Sequence, residues 1–342
     1  MKNDSRWEIV KSIGEGGQAH TFLVTDKKGS GEQSYVLKRL KNLKRVDRFK
    51  REIEAVRTLS HENIVQLVDF DLEAEKPYLV MEYCSGGSLA QAEPFWLKSP
   101  ADALGVFLQV CEGVVYAHSK KIIHRDLKPD NIFLREKSGP AVVGDFGICY
   151  IEDDGSRFTL TEEAVGPRLY IAPELEDGKI DKVSDKSDVY SLGKLLYWLI
   201  CGQVFSREKY REEKWDLKGK NEDNILGWNN IYLEHVNRLL DLMITHDPEE
   251  RRNLSNIVIL TRRAKRLIEK EFTPVDSGIK QPCLYCGQGY YVNRVAANPT
   301  SVRNFGFNPV GTSDWRILTC NMCGHVQSFR VDYAKQKEWW GE

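Results

Sequence analysis

The stretch His124-Arg125-Asp126-Leu127-Lys128-Pro129-Asp130-Asn131 constrains this chain more than any other feature, and Asp145-Phe146-Gly147 follows fourteen residues after Asn131. Together they set a carboxylate, an ammonium, a carboxamide and a second carboxylate in fixed order. Phosphoryl transfer needs an acceptor hydroxyl held in line, a counter-charge on the moving group, and metal bridging the phosphate oxygens. The His124–Asn131 stretch can supply the first two, and Asn131 with Asp145 can hold Mg²⁺. An isolated His-Arg-Asp triplet would be no more than a surface turn. The ordered set of His-Arg-Asp, Lys128, Asn131 and Asp-Phe-Gly is far more specific.

The residues before this block carry three further signals. Residues 7–40 read as strand, glycine turn, strand, turn, strand, and the first turn is Ile13-Gly14-Glu15-Gly16-Gly17-Gln18-Ala19. Glycine lets a backbone lie close over phosphates because no side chain intervenes. The third strand contains Tyr35-Val36-Leu37-Lys38. Residues 46–59 have helical spacing, with Phe49, Ile53, Val56 and Leu59 on one apolar face. Two strand-like runs then end in Tyr78-Leu79-Val80-Met81-Glu82-Tyr83-Cys84.

Read together, these blocks resemble the eukaryotic-type serine/threonine protein kinases. The resemblance covers roughly residues 7–270 and implies an α+β, bilobal fold. The β-rich N-lobe would take about 7–82 and the α-helical C-lobe about 85–270. ATP and Mg²⁺ (or Mn²⁺) are the implied cofactors, and the implied partner is a protein substrate with a serine or threonine acceptor. Carried over residue by residue, Asp126 would orient the acceptor hydroxyl and take its proton, and Lys128 would contact the γ-phosphate. Asn131 and Asp145 would hold magnesium. Lys38 would pair with the α- and β-phosphates and with Glu52 on the helix, Glu54 being the poorer match. Ile13, Gly14 and Gly16 would cover the nucleotide, and Thr21 stands where a valine usually caps adenine. Met81 would be the gatekeeper, and Val36 and Phe133 would sandwich the base. The Glu82 carbonyl and the Cys84 amide would hydrogen-bond adenine, which implies that their side chains matter little.

Later residues extend the resemblance. Residues 101–120 read as a helix feeding the central loop, with Leu104, Phe107, Leu108, Cys111 and Val115 as its apolar face. The segment from Asp145 to Ala172-Pro173-Glu174 corresponds to the activation segment. Thr159 and Thr161 are its candidate phosphosites, with Arg125 as the implied phosphate acceptor. Ser187-Asp188-Val189 opens an apolar helix whose Asp188 would fix the catalytic-loop backbone, and Arg251 would pair with Glu174. Two departures stand out. Ala19 replaces the third glycine of the loop. Pro167, with neither hydroxyl nor N–H, stands where this class usually carries threonine.

The C-terminal residues carry different chemistry. Residues 271–280 read as a linker, and residues 281–335 hold Cys283-Leu284-Tyr285-Cys286-Gly287 and Cys320-Asn321-Met322-Cys323-Gly324. Two residues between cysteines let both thiolates reach one ion, and four thiolates suit a closed tetrahedral Zn²⁺ site. With strand-like runs at 290–295, 315–318 and 326–331, this part resembles a zinc ribbon, with Cys283, Cys286, Cys320 and Cys323 as zinc ligands. Residues 271–342 carry seven basic side chains against six acidic. That balance makes a poor phosphate footprint, so the ribbon points to a docking protein rather than nucleic acid.

Composition excludes several classes. Net charge is −1, so there is no global basic field for nucleic acid or membrane. No run is long and apolar enough for a leader peptide or a membrane span, and a cytoplasmic or nuclear location is expected. Two readings compete with an active kinase bearing a docking ribbon. One is a pseudokinase-like nucleotide-binding scaffold, favoured by Ala19 and Pro167. The other is a kinase whose ribbon binds nucleic acid.

Overall fold

The computed structural model describes residues 6–15, 19–29, 33–146, 150–151, 169–176, 183–203, 230–269, 285, 291–293, 315–320 and 325–330. The chain divides into two compact units, Met1–Lys265 and Arg266–Glu342.

The first unit opens with the expected three strands, β1 (Trp7–Glu15), β2 (Ala19–Asp26) and β3 (Ser34–Leu40). Helix α1 (Val46–Thr58), β4 (Leu67–Asp71) and β5 (Tyr78–Glu82) follow. The five strands form an antiparallel sheet in the order β1-β2-β3-β5-β4. Period-two alternation sorts its side chains. Leu37 and Val80 join Trp7 and Val24 in a core on one face. Leu40 and Leu79 point the other way and bury Phe49 and Ile53 of α1. The same alternation directs Val36 and Lys38, which flank Leu37, to the face that carries α1. The start of the sheet is tied down by Trp7, whose Nε1 donates to Asp69 on β4 at 2.8 Å.

The helical lobe contains α2 (Pro100–Ser119), short strands β6 (Ile122–Ile123), β7 (Ile132–Leu134), β8 (Ala141–Val143) and β9 (Tyr150–Ile151), and α3 (Pro173–Glu176). After these come α4 (Asp185–Cys201), α5 (Asn230–Met243) and α6 (Leu254–Ile268). Helix α2 starts where the sequence provides a cap. Ser99 accepts the Asp102 N–H and donates its hydroxyl to the Asp102 carboxylate, and Pro100 fills the first helical position. Its burial is broader than one stripe, because Ala103, Val106, Val110 and Val114 are buried along with Leu104, Phe107 and Cys111. Helix α2 packs on α4 and on β8. Helix α4 approaches α5 at Gly193, where a Cβ would lie 2.6 Å from Ile244 Cγ1 and 3.0 Å from Met243 Cβ. A bare backbone is needed there for the two helices to meet. No helix among the described residues is long and apolar enough to cross a membrane.

In the second unit, β10 (Tyr291–Asn293), β11 (Trp315–Cys320) and β12 (Val326–Arg330) form a three-stranded antiparallel sheet, close to the runs read from the sequence. Residues 204–229, 271–284 and 294–314 lie outside the described residues, and the linker falls among them.

Candidate active site

The central loop runs from β6 to β7. Asp188, fully buried near the start of α4, accepts the backbone N–H groups of His124 and Arg125, each at 2.8 Å. Its carboxylate also takes a 2.7 Å hydrogen bond from His118 Nε2 on α2. Burial alone would push this carboxyl's pKa up. The hydrogen bond and charge of His118, with His124 and the Arg125 amide, outweigh that and hold it below the usual aspartate value. The tether fixes Arg125 in the left-handed region, at φ 68°, and so turns the chain to present Asp126.

The Asp126 carboxylate is held from two sides. Lys128 Nζ donates to both its oxygens, at 3.1 and 2.8 Å. Asn131 Nδ2 donates to Asp126 Oδ2 at 2.9 Å and to its carbonyl at 2.7 Å. One hydroxyl-orienting candidate and one metal-binding candidate are therefore joined directly.

Across the cleft, Lys38 Nζ lies 2.6 Å from Glu52 Oε1 and 2.9 Å from Asp145 Oδ1. Burial would lower the lysine pKa, but the charges of Asp145 and Glu52 reverse the sign and raise it, so the ammonium stays charged. Glu52 is buried on α1 whereas Glu54 is exposed, which decides between the two candidates. Asp145 sits at φ 55°, and the next residue, Phe146, is buried against the His124 ring with centroids 4.6 Å apart.

A cleft of about 380 Å³ lies between the lobes. Ile13, Gly14 and Thr21 border it from β1 and β2, and Val36 and Lys38 from β3. Met81, Glu82 and Cys84 line the connection between lobes, with Phe133 and Asp145 on the helical side. Ser88 and Gln91 also line it, and no sequence motif had singled them out. Burial and the Glu82 charge push the Cys84 thiol up to about 12, so it stays protonated and unreactive. Hard oxygen donors such as the Asn131 amide and the Asp145 carboxylate fit Mg²⁺.

One expectation needs correction. The Glu82 side chain is not incidental. Arg135, just past β7, donates from Nε and Nη2 to the two Glu82 oxygens, both at 3.0 Å, and from Nη1 to the Glu62 carbonyl at 2.5 Å. Glu82 also accepts the Gln66 N–H at 2.9 Å. A bidentate pair thus ties the last residue of the sheet to the helical lobe. The partners stand fifty-three residues apart, a separation at which sequence spacing carries no signal.

Helix α3 carries Glu174, which forms the expected pair with Arg251. Arg251 Nη1 and Nη2 donate to the two carboxylate oxygens at 2.6 and 2.8 Å, and the guanidinium is fully buried. Several expected residues lie outside the described residues: Gly16, Gly147, Thr159, Thr161, Pro167, Cys283, Cys286 and Cys323. Cys320 is described and is buried at the end of β11. Among the described residues no group of three or more potential metal ligands is formed.

A five-stranded lobe, a helical lobe, and a cleft where one lysine meets two carboxylates define a class. The chain belongs to the protein kinase family, whose domain model matches residues 7–260. The chain is 39% identical over 165 residues to the serine/threonine-protein kinase Pkn1 of Myxococcus xanthus, covering 46% of this chain and 23% of that protein. It is 29% identical over 305 residues to calcium-dependent protein kinase 5 of Plasmodium berghei, covering 79% and 51%. With the serine/threonine-protein kinase PrkC of Bacillus subtilis it shares 32% identity over 203 residues, covering 58% and 31%. The chain therefore spans from about a quarter to half the length of these relatives.

Proposed function

We propose that this chain is an ATP- and Mg²⁺-dependent protein serine/threonine kinase. The observation that carries the reading is the Lys38 ammonium held between Glu52 and Asp145. That arrangement places a fixed cation and a metal-binding carboxylate together in the cleft, and Asp126, held by Lys128 and Asn131, adds the carboxylate that transfer needs and nucleotide binding alone does not. In this reading Lys38 grips the α- and β-phosphates while Glu52 orients it. Asn131 and Asp145 hold Mg²⁺, which when bound neutralises charge on the phosphate oxygens. Asp126 orients the acceptor hydroxyl and accepts its proton, and Lys128, already at Asp126, turns to the γ-phosphate. Ile13, Gly14, Thr21, Val36 and Phe133 enclose the nucleotide, whose base meets the backbone of Glu82 and Cys84.

Purified full-length protein, γ-labelled ATP and a mixed serine/threonine peptide library test this. Phosphoserine or phosphothreonine should appear with Mg²⁺ and vanish when the metal is chelated. Tight nucleotide binding with no transfer to any peptide would instead establish the scaffold reading.

We further propose that Cys283, Cys286, Cys320 and Cys323 bind one structural Zn²⁺ and that the resulting module docks a protein partner. The support is local. Tyr285, inside the first cysteine pair, stacks on His325, which follows the second, with centroids 5.3 Å apart and planes 4° from parallel. The Cys320 N–H donates to the His325 carbonyl at 2.7 Å. A residue inside the first pair and one just after the second thus meet in one contact, which favours a shared ion. So small a sheet has little core of its own, and zinc binding supplies on the order of 10–16 kcal/mol in zinc-finger peptides. Elemental analysis should give about one zinc per chain. Cys320→Ser should lose it and make residues 281–335 protease-sensitive, while phosphorylation of a generic peptide persists. A zinc-free protein with an intact tail would refute the site.

A further inference from the structure

Gly144 immediately precedes Asp145, and its glycine is not required by backbone conformation, because the positive-φ glycines among the described residues are Gly87 and Gly202. What excludes a side chain is space. A Cβ at Gly144 would lie 2.9 Å from Phe133 Cε2, 3.0 Å from Phe133 Cδ2 and 3.0 Å from Val65 Cγ2. We propose that Gly144 is a positioning residue for the nucleotide base: the volume it leaves empty is the volume the Phe133 ring needs to form the aromatic wall of the cleft. This rests on the reading of the cleft as an adenine-nucleotide site.

The surroundings decide which group would give way. The Gly144 N–H donates to the Asn131 carbonyl at 3.0 Å, and its carbonyl meets His124 Nε2 at 2.9 Å. The residue before it is paired on both sides. Val143 N–H donates to Asn63 O, and Val143 O accepts the Val65 N–H, each at 2.9 Å. The backbones of Gly144 and Val65 are therefore both pinned. Phe133 has a fixed backbone too, paired with Val142 across β7 and β8 and bridged to Ser88. Its ring supplies two of the three atoms a Cβ would meet, including the nearest, and can yield only by turning about its χ angles. Packed against Val65, Cys84 and Val142, it borders the cleft on its remaining side. A methyl group at Gly144 therefore drives the ring into the space meant for the base. Because Lys38 and Asp145 contact the phosphate end of the ligand in this reading, the perturbation should be read by the base and not by the phosphates.

The test compares binding of ATP·Mg²⁺ and of adenosine, which has no phosphates, to wild type, Gly144→Ala, Phe133→Leu and the double variant by calorimetric competition. Overpacking of one methyl group predicts that Gly144→Ala weakens both ligands by the same factor, about tenfold. The smaller leucine should restore room, so Phe133→Leu/Gly144→Ala should bind both ligands more tightly than Gly144→Ala does. Should Gly144→Ala not fold, recovery of folded, adenosine-binding protein in the double variant carries the same meaning. Unchanged adenosine affinity in Gly144→Ala would overturn the inference. So would a loss confined to ATP·Mg²⁺, which would place the damage at Asp145, or a double variant no better than the single. Wild type that binds neither ligand would overturn the nucleotide reading itself.

Discussion

Asp126→Asn is expected to lower turnover by roughly 10²–10⁴-fold while nucleotide affinity stays near wild type. The substitution keeps the shape of the side chain and, through its one remaining oxygen, a contact with Lys128 and Asn131, but it removes the carboxylate that in this reading accepts the hydroxyl proton. Asp145→Asn should fail differently. It removes a carboxylate from the metal and from Lys38, so Mg²⁺-dependent nucleotide affinity should fall along with turnover. Steady-state kinetics with ATP and peptide varied separately, beside direct nucleotide titration, would distinguish the two. Wild-type turnover in Asp126→Asn on every substrate would show that the proton has another acceptor.

Arg251→Ala is expected to destabilise the kinase domain by about 3–5 kcal/mol, the range for removing one partner of a buried ion pair. The loss exceeds one salt bridge. Arg251 also donates to the carbonyls of Lys186, Thr245 and His246 and lies over the Tyr190 ring at 5.0 Å. Without it Glu174 keeps only the Ser187 hydroxyl among these donors. Replacing both partners with apolar residues of similar volume should cost less than Arg251→Ala, since no bare charge then remains buried. The pH dependence has a definite sign. Burial would raise the Glu174 pKa, but hydrogen bonding to Arg251 overrides it, and the folded value lies below the ordinary 4.5. A depressed carboxyl stabilises fully above its unfolded pKa and loses that contribution as pH falls through the folded value. In Arg251→Ala burial is opposed only by the Ser187 hydroxyl and the Glu174 backbone N–H, so the Glu174 pKa rises relative to wild type. The gap between variant and wild type should therefore be widest near neutral pH and narrow in acid. Denaturant melts across that range would check it, and a gap independent of pH would contradict the assignment.

The residues that the structure gathers in the cleft were legible in the sequence because the family resemblance rests on particular groups in a fixed order along the chain. Asp126, Lys128 and Asn131 occupy one short loop, so spacing alone brings them together. The pairing of Lys38 with Glu52 came from the family resemblance, and the structure brings the two side chains to 2.6 Å. What the sequence by itself determined was this local chemistry, the alternation that directs Val36 and Lys38 to one face, and the cap that starts α2 at Pro100. Other features required the tertiary structure. Glu82 and Arg135 are ordinary surface types in sequence, and the fold makes them a clasp between lobes. Helix α2 reads as one apolar stripe, yet α4 and β8 bury it more widely. Gly144 carries no signal of its own in sequence, and the Phe133 ring beside it leaves no room for a Cβ. Periodicity and motif spacing record what a residue does within its own element; long-range pairs and excluded volumes are set when separate elements meet.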